Sequence, residues 1–254
     1  MIKALVNNVF DTSRGTSIKE NGAEVRTVEH LMAALVGVGI DNVLVEIDAP
    51  ETPILDGSSR LYVDILQEVH KVNLNAEKDY IVIHEPVSFS IPEKGIELVI
   101  KPSEHFKIHV DVDYGTMVLA NQEAILNRLE DFYPEVYNCR TFVFLHELQF
   151  LIANNLVKGG DVDNAIVFVD KMPEQSVLDQ LAAFFNKSNI KVTENGTLDN
   201  VQLHYTNEPA RHKLLDLVGD LFLLGKPIKG EIYAKKPGHF SNTEFAKLIW
   251  QKIK

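Results

Sequence analysis

Cysteine is almost missing from this 254-residue chain, where Cys139 stands alone. An intrachain disulfide is therefore excluded, and a reducing compartment, the cytoplasm, is the expected setting. Positive charge is also scarce: 25 Lys and Arg face 36 Asp and Glu, for a formal net charge of −11. Broad nucleic-acid binding rests on neutralising phosphates with Lys and Arg, so no nucleic-acid partner is expected. A local basic patch for one small anion is compatible with this balance. No apolar run reaches the roughly 18 residues of a spanning helix, so no transmembrane segment is expected. The opening MIKALVNNVF lacks the apolar core and small-residue cleavage site of a signal peptide. Two peptidase patterns are absent as well. H-E-x-x-H does not occur, and the inverted H-x-x-E-H would need histidine where Arg26 stands.

What remains is ordinary globular material, 45% apolar and 24% charged, long enough for one large or two small domains. TVEHLMAALVGVGIDNVLVEID (27–48) has apolar residues at helical spacing as far as Gly37 and Gly39. NVLVEI then has the β-branched content of a strand. APETPILDGSSRL is a Pro- and Gly-marked loop, and LYVDILQEVHKV returns to helical spacing. DYIVIHEPVSFSI and GIELVIKPS predict strands around the PEKG turn, with a domain boundary near 102–106. FKIHVDVDY predicts a half-buried strand, NQEAILNRLEDFY a helix, NCRTFVFL a strand and HELQFLIANNL a helix. VKGGDVDNAIVFVD predicts a glycine turn and a buried strand. SVLDQLAAFFNKS predicts an amphipathic helix, and NIKVTENGTLDNVQLHYT a peripheral hairpin. A helix around RHKLLDLVGD, the strand IKGEIYAKK and a last helix capped by Ser241 or Asn242 complete the chain.

The RHKLLDLVGD helix carries an unusual stripe. His212, Asp216 and Asp220 recur every four residues, and each four-residue step drifts only about 40° around a helix. A His/carboxylate pair at i, i+4 suits a chelated divalent cation such as Zn²⁺. It equally suits a simple His–Asp hydrogen bond, and two ligands do not define a site. An internal echo widens the picture: HLMAALVG (30–37) and HKLLDLVG (212–219) match at His, Leu, Val and Gly. Each precedes a turn and a strand, which suggests two related halves facing one another across a cleft. His30 is then a candidate third ligand, and the adjacent Glu29 a candidate general base; a helix-start carboxylate and a half-buried histidine are the plainer alternatives. His239, on the Gly-Pro loop KKPGHFSN, is a candidate general acid or oxyanion stabiliser. Asp220 can hold such an imidazole charged and oriented, and Lys213 and Lys236 can meet anionic substrate oxygens.

Six fragments in one order, TVEHLMAAL…GIDN, PILDGSS, CRTFVFL, KGGDVDNAIV, RHKLLDLVGDLFLLG and KPGH, strongly resemble the zinc-dependent UDP-3-O-acyl-N-acetylglucosamine deacetylases of lipid A biosynthesis. The similarity runs from about Asn8 to the C-terminal helix. The resemblance implies Zn²⁺ on His30, His212 and Asp216. Glu29 is implied as general base, His239 as general acid or electrostatic partner, and Asp220 as its orienter. Thr141 is implied as oxyanion donor, Phe142 as the surface packing on the sugar, and Lys213 and Lys236 as substrate contacts. Glu147 falls where the family usually has aspartate. The implied substrate is a UDP-sugar bearing an ester-linked acyl chain, whose 2-acetamido group is hydrolysed. The implied fold is α+β: two similar domains, each a β-sheet with two helices, the helices sandwiched between the sheets. The corresponding divisions are a first domain over 1–103 and a second over 104–254. The second would hold an acyl-passage insert at about 144–170 and an extended region at about 171–209, longer than in many members. The family's opening Gly-rich hairpin and further strands have no counterpart here, so an exposed sheet edge and apolar surface are expected. Some members continue into an acyl-carrier-protein dehydratase, making a fused or associated dehydratase domain an expected partner.

Overall fold

The computed structural model describes residues 1–154 and 164–252. In chain order its elements are β1 (Val9–Asp11), β2 (Ser17–Glu20), β3 (Ala23–Val25), α1 (Glu29–Gly37), α2 (Arg60–Glu68), β4 (Ile81–Val82), β5 (Val87–Ile91), β6 (Ile96–Lys101), β7 (Phe106–Val112), β8 (Gln122–Leu126), α3 (Phe132–Glu135), β9 (Phe142–Phe144), α4 (Leu145–Ala153), β10 (Ile166–Phe168), α5 (Gln175–Phe184), α6 (Glu208–Phe222), β11 (Ile228–Lys235) and α7 (His239–Lys252). The result is a mixed α/β architecture.

Period-two patterning builds the main sheet. Ile108, Val110 and Val112 of β7, and Ile228, Ile232 and Ala234 of β11, point to one buried face. The strands run in the order β5-β6-β11-β7-β8, with β4 beside the start of β11. Helix α6 packs on β7 and β8, and α7 on β5 and β6. Helix α1 lies along α6, and α2 packs on α1. A separate antiparallel sheet, β1-β2-β3, precedes α1. Parallel β9 and β10 form a third sheet, and a small core of Leu145, Leu148, Val167, Leu178, Leu181 and Leu198 ties the 144–170 region to the extended one after it.

Four expectations need correction. QEAIL is strand β8 rather than the start of a helix: Ala124 and Leu126 are buried while Glu123 and Ile125 are exposed, and the segment pairs with β7. Good helix formers yield here to a partner strand. NVLVEI forms no strand: Val43, Leu44, Val45 and Ile47 are exposed, and among the described residues nothing pairs with them. β-Branched content cannot hold a strand without a neighbour. The 189–206 hairpin reduces to isolated bridges, Val192↔Leu198 and Phe168↔Thr197. Lastly, β4, β5 and β6 precede residue 103 yet share the main sheet with β7, β8 and β11, so a division at 103 cuts through paired strands. Before β4 the described chain contributes the three-stranded sheet with α1 and α2, broadly in keeping with two α+β units. The glycine turn expected at VKGG lies outside the described residues.

Candidate active site

Helix α6 starts with Glu208 and Pro209, where proline's missing N–H costs nothing. Leu214, Leu215, Leu217, Val218 and Leu221 pack the core, yet His212, Asp216 and Asp220 are also buried. Buried charge requires partners, and α1 brings one of them, His30, beside Asp216. Gly219 makes the approach possible: a Cβ there would lie 2.1 Å from the Glu29 carbonyl oxygen. With hydrogen in its place, the first turn of α1 rests directly on α6. Thr27, just before that turn, takes a left-handed φ of 58°, unusual for a β-branched residue. Its carbonyl accepts the Thr52 hydroxyl and its own hydroxyl bonds Glu51, so neighbours impose the bend that aims Glu29 and His30.

The two echoed histidines meet here, their ring centroids 5.1 Å apart. His30 Nε2 stands 3.7 Å from Asp216 Oδ1 and His212 Nε2 3.4 Å from the same oxygen. All three ligand atoms lie within 4.8 Å of one another. Tetrahedral bonds of the Zn–N and Zn–O type separate ligand atoms by about 3.3 Å, close to these spacings. Satisfaction points the same way. His212 Nδ1 lies 3.0 Å from the Cys139 carbonyl, which can only accept, so Nε2 presents a lone pair. That lone pair faces a carboxylate, and Asp216 Oδ1 is buried without a hydrogen-bond donor. Two electron-rich atoms pointed at each other in a dry site fit a cation between them. Burial holds the His30 imidazole down to about 3 and depresses that of His212, so both are neutral, as ligands must be. Burial alone would raise Asp216, but His212 and Lys213 outweigh it and hold the carboxylate well below the usual range. Lys213 Nζ donates to Asp216 Oδ2 at 2.8 Å and sits 5.4 Å above the Phe142 ring.

A second group abuts the first. Burial lifts Glu29 to about 7, above an ordinary carboxylate, against the pull of His239. Its Oε2 accepts the Thr16 N–H at 2.8 Å. His239 Nε2 lies 3.8 Å from Glu29 Oε1 and 3.8 Å from Asp216 Oδ2, while Nδ1 lies 3.0 Å from Asp220 Oδ2. Burial opposes its charge, but Asp220, Asp216 and Glu29 together raise it to about 10. Asp220 is held on both oxygens: Oδ1 accepts the Thr16 hydroxyl and Oδ2 the Asn242 amide.

The structure therefore brings together Glu29, His30, His212, Lys213, Asp216, Asp220 and His239, with Phe142 at their edge, 6.4 Å from the His212 ring. Thr141 is half-buried just before β9, its backbone tied to Gly57 and Ile166. Glu147 serves elsewhere, accepting the Phe144 N–H at the start of α4. Lys236 stands aside near Asp113, 3.6 Å away. Asn242 is no cap: α7 begins at His239, Ser241 closes the turn through Gly238, and Asn242 holds Asp220. Thr16, Asn242 and the Cys139 carbonyl escaped the sequence reading, because no local spacing marks contacts that tertiary packing creates.

The family pattern described as UDP-3-O-acyl N-acetylglycosamine deacetylase matches residues 1–181 and 182–251. A protein of Porphyromonas gingivalis named bifunctional enzyme LpxC/FabZ is 44% identical over all of this chain, which spans 55% of that protein. Proteins named UDP-3-O-acyl-N-acetylglucosamine deacetylase, from Saccharophagus degradans and Syntrophotalea carbinolica, are 37% and 35% identical over 99% of the chain and 76% and 75% of their own lengths. The chain thus spans about half the length of its bifunctional relatives and three quarters of the others. On a match running nearly end to end, the chain belongs to the UDP-3-O-acyl N-acetylglycosamine deacetylase family.

Proposed function

We propose that this chain catalyses hydrolysis of the 2-acetamido group of UDP-3-O-acyl-N-acetylglucosamine, giving UDP-3-O-acyl-glucosamine and acetate for lipid A biosynthesis. The convergence of His30, His212 and Asp216 on one point beside Glu29 and His239 carries the reading. A divalent cation on those three residues, proposed to be Zn²⁺, would polarise the amide carbonyl and acidify the attacking water. Glu29, held near neutrality by burial, takes the water's proton as the new C–O bond forms. His239, kept protonated by Asp220, sets a positive N–H beside the developing oxyanion and delivers a proton to the departing amine as the C–N bond breaks. Thr141 adds a hydroxyl donor to the same oxyanion. Lys213 keeps Asp216 ionised and oriented, and Phe142 offers an apolar face to the sugar. Lys236, on the loop leading to His239, is assigned to the substrate's polar groups.

No helix among the described residues is long and apolar enough to cross a membrane, and a cytoplasmic setting is part of the proposal. The bifunctional names of the relatives support a dehydratase module fused to or associated with this one in the whole protein. The test is zinc stoichiometry with acetate release. About one zinc per chain, falling sharply in both His30→Ala and His212→Ala, supports the site. Metal content unchanged in either variant defeats it. A metal-free chain without a cooperative melt would instead favour an inactive or partner-dependent piece. Zinc binding without acetate release would favour a nucleotide-lipid binder.

A further inference from the structure

We infer that Glu208 is a positioning residue for His212: its carboxylate fixes the peptide unit between Cys139 and Arg140, and that peptide fixes the imidazole tautomer. Glu208 lies one helical turn before His212 on α6 and is fully buried. It accepts four hydrogen bonds. Oε1 takes the Arg140 backbone N–H at 3.0 Å and its Nε–H at 2.9 Å. Oε2 takes Arg140 Nη2 at 3.2 Å and the His204 N–H at 2.7 Å.

The Arg140 N–H and the Cys139 C=O belong to one peptide group. In a trans peptide they point in opposite directions. Glu208 thus grips one end of that plane while the other end meets His212 Nδ1 at 3.0 Å. The carbonyl demands a proton on Nδ1 and leaves Nε2 bare towards Asp216. Were the plane to flip, its N–H would face the ring, Nδ1 would accept, and the proton would move to Nε2 and block ligation. An ionised carboxylate forbids the flip, because the Cys139 carbonyl would then confront a group with no hydrogen to give. Charge is the discriminating feature. A glutamine of the same shape has an NH₂ that welcomes the flipped carbonyl.

The inference rests on His212 being a ligand, but its test separates the two claims. Long-range ¹H–¹⁵N spectra of histidine-labelled, metal-free protein report the tautomer, and titration against a chromophoric chelator reports zinc affinity. The wild type is expected to show His212 protonated on Nδ1. Glu208→Gln is expected to populate the Nε2–H form and to bind zinc about 10- to 100-fold more weakly. Arg140→Lys keeps the backbone N–H, so it is expected to melt lower yet hold the wild-type tautomer and zinc affinity. Wild-type His212 protonated on Nε2 would overturn the inference. So would Glu208→Gln unchanged in both readouts, or Arg140→Lys shifted as far as Glu208→Gln. Should Glu208→Gln fail to fold, Nδ1–H in the wild type and in Arg140→Lys supports the inference. A wild type that binds no zinc but keeps Nδ1–H defeats the metal centre and leaves Glu208's hold intact.

Discussion

Substituting Gly219 by alanine puts the helix contact at the root of the site under direct stress. The added methyl would lie 2.1 Å from the Glu29 oxygen, 2.9 Å from its carbonyl carbon and 3.1 Å from its Cα. All three are backbone atoms, so no side chain can swing away. Ordinary contact begins near 3.4 Å, and α1 must withdraw by about 1 Å to accommodate it. Overpacking of this kind costs up to about 3 kcal/mol. Alanine returns about 1 kcal/mol through better helix propensity. The net loss is about 2 kcal/mol, a melting temperature about 4–8 °C lower. The retreat also moves His30 and Glu29 away from α6, and a displacement near 1 Å can cost about 100-fold in rate. The assay is a melting curve beside acetate release at saturating zinc. A Gly219→Ala protein that melts higher and turns over normally would refute the claim that this crossing sets the site.

Glu29→Gln should lower the rate by about 10²–10⁴-fold while zinc stoichiometry stays at the wild-type level, since glutamine cannot take the water's proton. The rate should follow a bell in pH: it rises as Glu29 loses its proton and falls as His239 loses its own near 10. A cation beside Glu29 favours the carboxylate, so the acid limb belongs at or below about 7; a limb well above 7 in a kcat/KM profile would contradict that role. Zinc at about 100 times its Kd should stabilise the chain by about 2.7 kcal/mol over the chelator-treated form, visible as a higher melting temperature. Phe132→Ala should cost about 3–5 kcal/mol, because the ring is fully buried against Gly37 of α1; denaturant titration reads it.

The stripe on α6 was legible because helical periodicity is local. Positions 212, 216 and 220 share a face whatever the rest of the chain does. His30 was reachable only through the echo and the family resemblance, since nothing near it in sequence announces a ligand. Thr16 and Glu208 were invisible for a sharper reason. Thr16 finds Asp220 only after β2 and α6 have settled, and Glu208 finds Arg140 through a loop of irregular backbone. The same logic explains β8. Its Gln, Glu, Ala and Leu favour a helix in isolation, and only the waiting edge of β7 converts them to a strand. Along 43–47 no such edge is offered among the described residues, and strand-forming residues stay unpaired there.

The three proposed ligands sit near opposite ends of the described chain, one in α1 and two in α6. A cation there would work as a reversible rivet between α1 and α6. During synthesis that socket would not exist until α6 had left the ribosome and closed on α1, so a cation bound there would report that these two helices have met.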